Sequence, residues 1–81
     1  MATRLAEFLA ANTKREMVAR GWTQAHLAEL CDWPPARISE ILRGDLNYRL
    51  ATLETLAKAL AVSPASLILP PAEEILEKIP S

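Results

Sequence analysis

Apolar residues recur at three- and four-residue intervals along most of this chain, the spacing of one helix face rather than of a strand. Leu5, Phe8 and Leu9, then Met17 and Val18, predict one helix over Thr3–Arg20. Asn12 and Thr13 interrupt its apolar stripe, and Thr13 with Glu16 three residues later is a capping-box pattern, so a break at Thr13 is the alternative. Gly21 ends the segment, being the residue that takes a left-handed terminal conformation at least cost. Thr23 then serves as the N-cap of a short second helix with Leu27, Leu30 and Cys31 on its inner face. That helix stops at Asp32, because Trp33 precedes a proline and is pushed out of helical geometry.

The next stretch, CDWPPARISEILRG, places Pro34 and Pro35 together and then turns Ile38, Ile41 and Leu42 onto one face. Proline inside a helix costs ~3 kcal/mol, but at the first helical position its missing N–H has no intrahelical acceptor to lose. A sharply started third helix is therefore expected over Pro35–Arg43, ending at Gly44. DLNYRLA shows no periodicity and reads as a loop. Leu53, Leu56, Ala57 and Leu60 predict a fourth helix over Thr52–Leu60. Ser63 and Pro64 suit the cap and first position of a fifth, with Leu67 and Ile68 inward. Pro70 and Pro71 interrupt the chain, and AEEILEKI is long enough for two more turns with Ile75, Leu76 and Ile79 along one side. The expected architecture is all-α. It comprises a five-helix domain over residues 1–69 and a short C-terminal helical extension over 70–81, a candidate dimerisation segment.

Composition narrows what such a domain can be. At 51% hydrophobic but only 5% aromatic residues, its core must be built from Leu, Ile, Val and Ala. No apolar run approaches the ~20 residues that cross a bilayer, and the opening segment does not read as a signal peptide. Cys31 is the sole cysteine, so an internal disulfide is excluded and a reducing cytoplasm is the expected compartment. The formal net charge is −1, which looks wrong for a nucleic-acid binder. Glu73, Glu74, Glu77 and Lys78 all lie in the last ten residues; without them the balance is eight basic to seven acidic. The sum decides nothing, and a local basic face would be needed.

Two short helices joined by a tight turn and packed among three others form a helix-turn-helix arrangement. Thr23-Gln24-x-x-Leu27-Ala28, Ile38-Ser39-x-Ile41-x-x-Gly44 and Leu53-x-x-Leu56-Ala57-x-Ala59-Leu60-x-Val62-Ser63 together closely resemble the phage-repressor/Cro-type (lambda-repressor-like) family of DNA-binding domains over roughly Lys14–Leu69. Ala28 is small where two helices must cross closely. The family usually has Gly at the turn; Asp32 stands there, a side chain that tolerates left-handed backbone better than most. Pro34 replaces the usual Ser or Thr cap, and Pro35 offsets the loss by removing a donor.

Carried over position by position, the resemblance implies that residues 35–43 form the recognition helix. Pro35, Ala36, Arg37, Ser39 and Glu40 would face the major groove, with Gln24 at a phosphate. Pro35 and Ala36 offer only apolar contact, for example with a thymine methyl. Arg37 suits guanine or a phosphate, and Glu40 accepts from a cytosine amino group or repels phosphates. Arg43, Tyr48 and Arg49, with Asn47, complete a local basic patch. His26 reads as surface, Cys31 as a buried small hydrophobe, Trp22 and Trp33 as core, and the tail glutamates as a solvated face. With no nucleophile–base pair, phosphate loop or metal-ligand spacing, an enzyme, a cofactor and a metal are not expected. The expected function is a transcriptional regulator, a homodimeric repressor on double-stranded DNA, with no membrane role. The alternatives are the antitoxin of a toxin–antitoxin pair, with a toxin partner, and a protein-interaction module that has lost DNA binding.

Overall fold

The computed structural model describes residues 4–44 and 48–71; Asn47 and the tail residues Glu73, Glu74, Ile75, Leu76, Glu77, Lys78 and Ile79 lie outside them. Five helices follow in the predicted order: α1 (Arg4–Arg20), α2 (Gln24–Cys31), α3 (Pro35–Arg43), α4 (Leu50–Leu60) and α5 (Pro64–Ile68). No strand occurs among the described residues. Helix α1 packs on α3 and α5, α2 on α3 and α4, and α4 on α5. Leu27, Ile38, Leu56 and Leu60 are fully buried where these faces meet. Each such side chain contributes roughly 1.5–3 kcal/mol of hydrophobic burial. No described helix is long and apolar enough to cross a membrane.

Three helices end in the same way. At each, a left-handed residue follows the last turn, its N–H and the next N–H fold back onto helix carbonyls, and the second of them is apolar. After α1, Gly21 N–H donates to Val18 O (3.1 Å) and Trp22 N–H to Met17 O (3.0 Å). After α2, Asp32 (φ 57°) donates to Glu29 O (3.2 Å) and Trp33 to Ala28 O (2.9 Å). After α4, Ala61 (φ 58°) donates to Lys58 O (3.2 Å) and Val62 to Ala57 O (3.0 Å). Trp22, Trp33 and Val62 then pack against the core, over buried Met17, Ala28 and Ala57. Only one of these three left-handed positions is a glycine, so the other two carry backbone strain of about 1–2 kcal/mol.

The polar interruption in the first helix is no break. Helix α1 runs unbroken through Asn12 and Thr13, both at most 1% exposed. Asn12 Nδ2 donates to Leu67 O (2.9 Å) and Leu69 O (2.7 Å), capping the carbonyl end of α5 from another helix. Thr13 Oγ1 and Asn12 Oδ1 are buried without a hydrogen-bond partner among the described residues. At the other end of α1, Arg20 Nη1 pairs with Glu16 Oε1 (2.6 Å) and Nη2 donates to Leu60 O (2.6 Å), tying α1 to the end of α4.

Other differences from the sequence pattern have local causes. Helix α4 starts at Leu50, two residues before the first expected position. Arg49 is its extended N-cap and Leu53 N–H donates to Arg49 O (3.2 Å), while Leu50 is 75% exposed and so leaves no periodic signal. Leu5, Val18 and Leu30, expected on inner faces, are exposed because their neighbours Ala6, Met17 and Cys31 occupy those sites. Trp22 and Trp33 are half-buried rather than enclosed. Cys31 is buried, and burial pushes its thiol pKa up, away from reactive thiolate.

Ala61→Gly should relieve the left-handed strain at an exposed site and raise stability by about 0.5–1 kcal/mol, read as a melting point several degrees higher. Asn12→Leu, which keeps the branching at Cγ but strips the α5 end of its cap, should lower stability by about 1–3 kcal/mol in denaturant titration. An unchanged midpoint would show that the α5 carbonyls need no partner.

Candidate nucleic-acid interface

Helix α3 begins without a side-chain cap, and its double proline explains how. Pro34 is the extended N-cap (φ −63°, ψ 144°) and Pro35 follows at the first helical position. Two of the four orphan N–H groups of a helix start are therefore absent, and a third, that of Arg37, donates to Pro34 O at 3.0 Å. The helix ends at Gly44, left-handed at φ 72°, which seats beside Ala6, Glu7 and Ala10 of α1. Ile38 and Ile41 are buried on its inner side, in the same core as Leu27 and Ala28 of α2. With start, end and inner face all held, the outer face is presented in one orientation.

That outer face carries most of the expected site. Pro35, Ala36, Arg37 and Arg43 are exposed, and Ser39 and Glu40 are half-buried beside them. Gln24, in the first turn of α2, is brought to the same surface: Ser39 Oγ donates to Gln24 Oε1 at 2.7 Å across fifteen residues of sequence. The two motif helices are thus linked by their own candidate contact residues. Arg49 is exposed at the start of α4. Tyr48 is half-buried and packs on the core; burial pushes its phenol pKa up, so its O–H remains a neutral donor. Asn47 lies outside the described residues. His26 is exposed, its ring edge-to-face with Trp22 at 4.9 Å between centroids.

One residue of this surface was assigned elsewhere by the sequence. Trp33, read as core, does pack on it, yet the Arg37 guanidinium carbon also lies 5.2 Å from its ring centroid. The four-residue spacing of Trp and Arg was visible, but it spans a proline corner, where helical spacing rules do not apply. Among the described residues no group of His, Cys, Asp or Glu is placed to hold a metal ion. The surface offers cations, the Glu40 carboxylate, an amide, a hydroxyl and small apolar groups to a ligand. These are the groups that meet phosphates and base edges.

The helix-turn-helix family model HTH_3 matches residues 13–67, more than half of the chain. A hypothetical transcription factor of Neisseria meningitidis serogroup B is 36% identical over 67 residues, 83% of this chain. This chain spans only 63% of that relative's length. The crystal structure of the hypothetical transcription factor NHTF from Neisseria superposes with a TM-score of 0.81 at 34% identity, covering 90% of this chain and 84% of the other. The restriction-modification controller protein C.Esp1396I, solved as a tetramer in complex with its natural 35 base-pair operator, superposes with a TM-score of 0.71 at 28% identity, covering 91% of each chain. The motif spacings, the α2–α3 geometry and these likenesses agree, and the chain belongs to the Cro/phage-repressor type of the helix-turn-helix family.

Proposed function

We propose that this chain is a DNA-binding transcriptional regulator, a dimeric repressor that places α3 in the major groove. The observation that carries the reading is the outer face of α3, held in one orientation, with Arg37 and Arg43 exposed on it and Gln24 joined to Ser39 alongside. Arg37, Arg43 and Arg49 supply phosphate attraction, which dominates affinity in such complexes, while Ala36, Ser39 and Glu40 set base preference. Pro35 adds apolar contact, and Tyr48 donates its O–H from the rim. The controller protein that resembles this chain was solved as a tetramer on its operator, which supports both DNA and self-association here. The division into a DNA-binding domain over 1–69 and an extension over 70–81 belongs to the same proposal. No step of this role requires catalysis, a cofactor or a membrane. The antitoxin variant would use the same fold to bind both operator and toxin.

A second reading has an observation of its own. Pro35 and Ala36 stand where reading amides would be useful, and Glu40 puts a negative charge on the groove-facing side. Those features suit a protein-interaction module that has left DNA. Mobility shifts on a randomised duplex pool at two salt concentrations separate the readings. Arg37→Ala should weaken binding to all duplexes and flatten the slope of log affinity against log salt by about one charge if Arg37 holds a phosphate. If it pairs with guanine, the loss should be ~1–3 kcal/mol at a single base position. Glu40→Gln should tighten nonspecific binding. Should the parent protein bind no duplex at low salt, the interaction module takes the regulator's place.

Self-association has a candidate surface among the described residues. Leu50, 75% exposed, borders an open groove of about 510 Å³ whose apolar lining includes Leu53, Ala57, Val62 and Pro64. A repressor reading two half-sites about one helical turn (~34 Å) apart needs such a fixed partner. Light scattering should find a dimer that Leu50→Glu converts to monomer. A chain truncated after Pro71 tests whether Ile75, Leu76 and Ile79 contribute instead. A dimer that survives Leu50→Glu and falls apart on truncation would move the interface to the tail.

A further inference from the structure

We propose that Trp33 is a positioning residue for the DNA interface: its indole face holds the Arg37 guanidinium in place before DNA arrives. The proposal rests on the reading that Arg37 meets the duplex. Its basis is a contrast between two tryptophan–arginine pairs in one small domain. Trp22 and Trp33 occupy equivalent places, each the apolar residue that closes a left-handed helix end, with its N–H on Met17 O and Ala28 O respectively. Each carries an arginine over its ring, Arg20 at 5.5 Å and Arg37 at 5.2 Å from the centroid, within cation–π range.

The two arginines differ in what their donors do. Arg20 is committed to the fold, with its guanidinium on Glu16 Oε1, Glu16 O and Leu60 O. Arg37 is exposed, and among the described residues no carboxylate pairs with it. An aromatic face is the one kind of partner that restrains a guanidinium without consuming its N–H groups or neutralising its charge. A carboxylate in the same place would do both. Arg37 is thus restrained in advance and keeps its full set of donors for a phosphate or a guanine edge.

The platform itself is rigid. The Trp33 N–H is tied to Ala28 O at 2.9 Å, its ring packs on the core, and Pro34 and Pro35 remove freedom from the backbone immediately after it. Arg37 follows in the first turn of α3, its own N–H on Pro34 O. An arginine that loses less rotamer freedom on binding gains affinity through preorganisation.

A double-mutant cycle on the full chain tests this, with affinity for a duplex recovered from the randomised pool as the readout. Trp33→Leu should weaken binding about two- to five-fold, and Trp33→Phe, which restores an aromatic face, should recover most of that loss. In an Arg37→Ala background Trp33→Leu should have no further effect on affinity. An equal loss in both backgrounds would make Trp33 a purely structural residue and overturn the proposal. The pairing is also checked without DNA and without touching Trp33. In a Trp22→Phe protein, Trp33 is the only fluorophore of its type, and Arg37→Ala should shift its emission. Unchanged emission overturns the pairing even if DNA binding is intact. An emission shift in a protein that binds no duplex at low salt would instead bring down the regulator reading and, with it, the positioning role.

Discussion

The three residues between α2 and α3, with Pro35 at the start of α3, set the angle on which the rest of the molecule depends. Asp32 turns left-handed at φ 57°, which brings the Trp33 N–H back to Ala28 O. Pro34 is then extended, and Pro35 can only begin a helix. No step in this corner has a soft alternative, because a ring, a closed hydrogen bond or a packed side chain holds each one. Ala28 at the crossing is 1% exposed, and Leu27 and Ile38 beside it are fully buried. Rotating α3 about this corner would lift two isoleucines out of the core, so its outer face inherits the rigidity of the inner one.

The other polar contacts divide into those that close the fold and those that leave groups available. Asn12 closes α5, and Arg20 closes α4. Both donate to carbonyls at helix ends, which the intrahelical ladder leaves unpaired. On the α3 side the pattern is different. Arg37 rests on a ring instead of an acid, and the side-chain bond there joins Ser39 to Gln24, both neutral. Neutral pairing and aromatic support preserve positive charge where a net charge of −1 would otherwise leave little. Glu40 is the acid on that face, set against Arg37 and Arg43, so the net charge of the whole chain misjudges the surface that matters.

The sequence by itself determined the helices and most of their ends. Periodicity at three and four residues, with Pro35, Pro64, Thr23, Ser63 and Gly44 at the termini, was enough to predict all five in order. Proline and capping side chains act within a few residues, so their effect can be read without the fold. Periodicity placed Ile38 and Ile41 inward on α3, and the residues of its outer face came from the family resemblance. Helix α4 was legible only from Thr52, because its start depends on Arg49 backbone geometry and on an exposed leucine that carries no pattern.

Tertiary structure alone decided which side chains meet across distance. Asn12 looked like an interruption because its partners, Leu67 and Leu69, lie more than fifty residues away. Leu30 fits a helical stripe as well as Cys31 does, and only the position of the neighbouring helices makes one exposed and the other buried. Ala61 shows no turn signal at all; its left-handed backbone is imposed by Val62 closing over Ala57. The Gln24–Ser39 bond likewise exists because two helices cross at one angle, and the Trp33–Arg37 contact because the proline corner between them holds one geometry. Local chemistry writes helices into a sequence, whereas a contact between helices depends on both partners and on the corner that orients them.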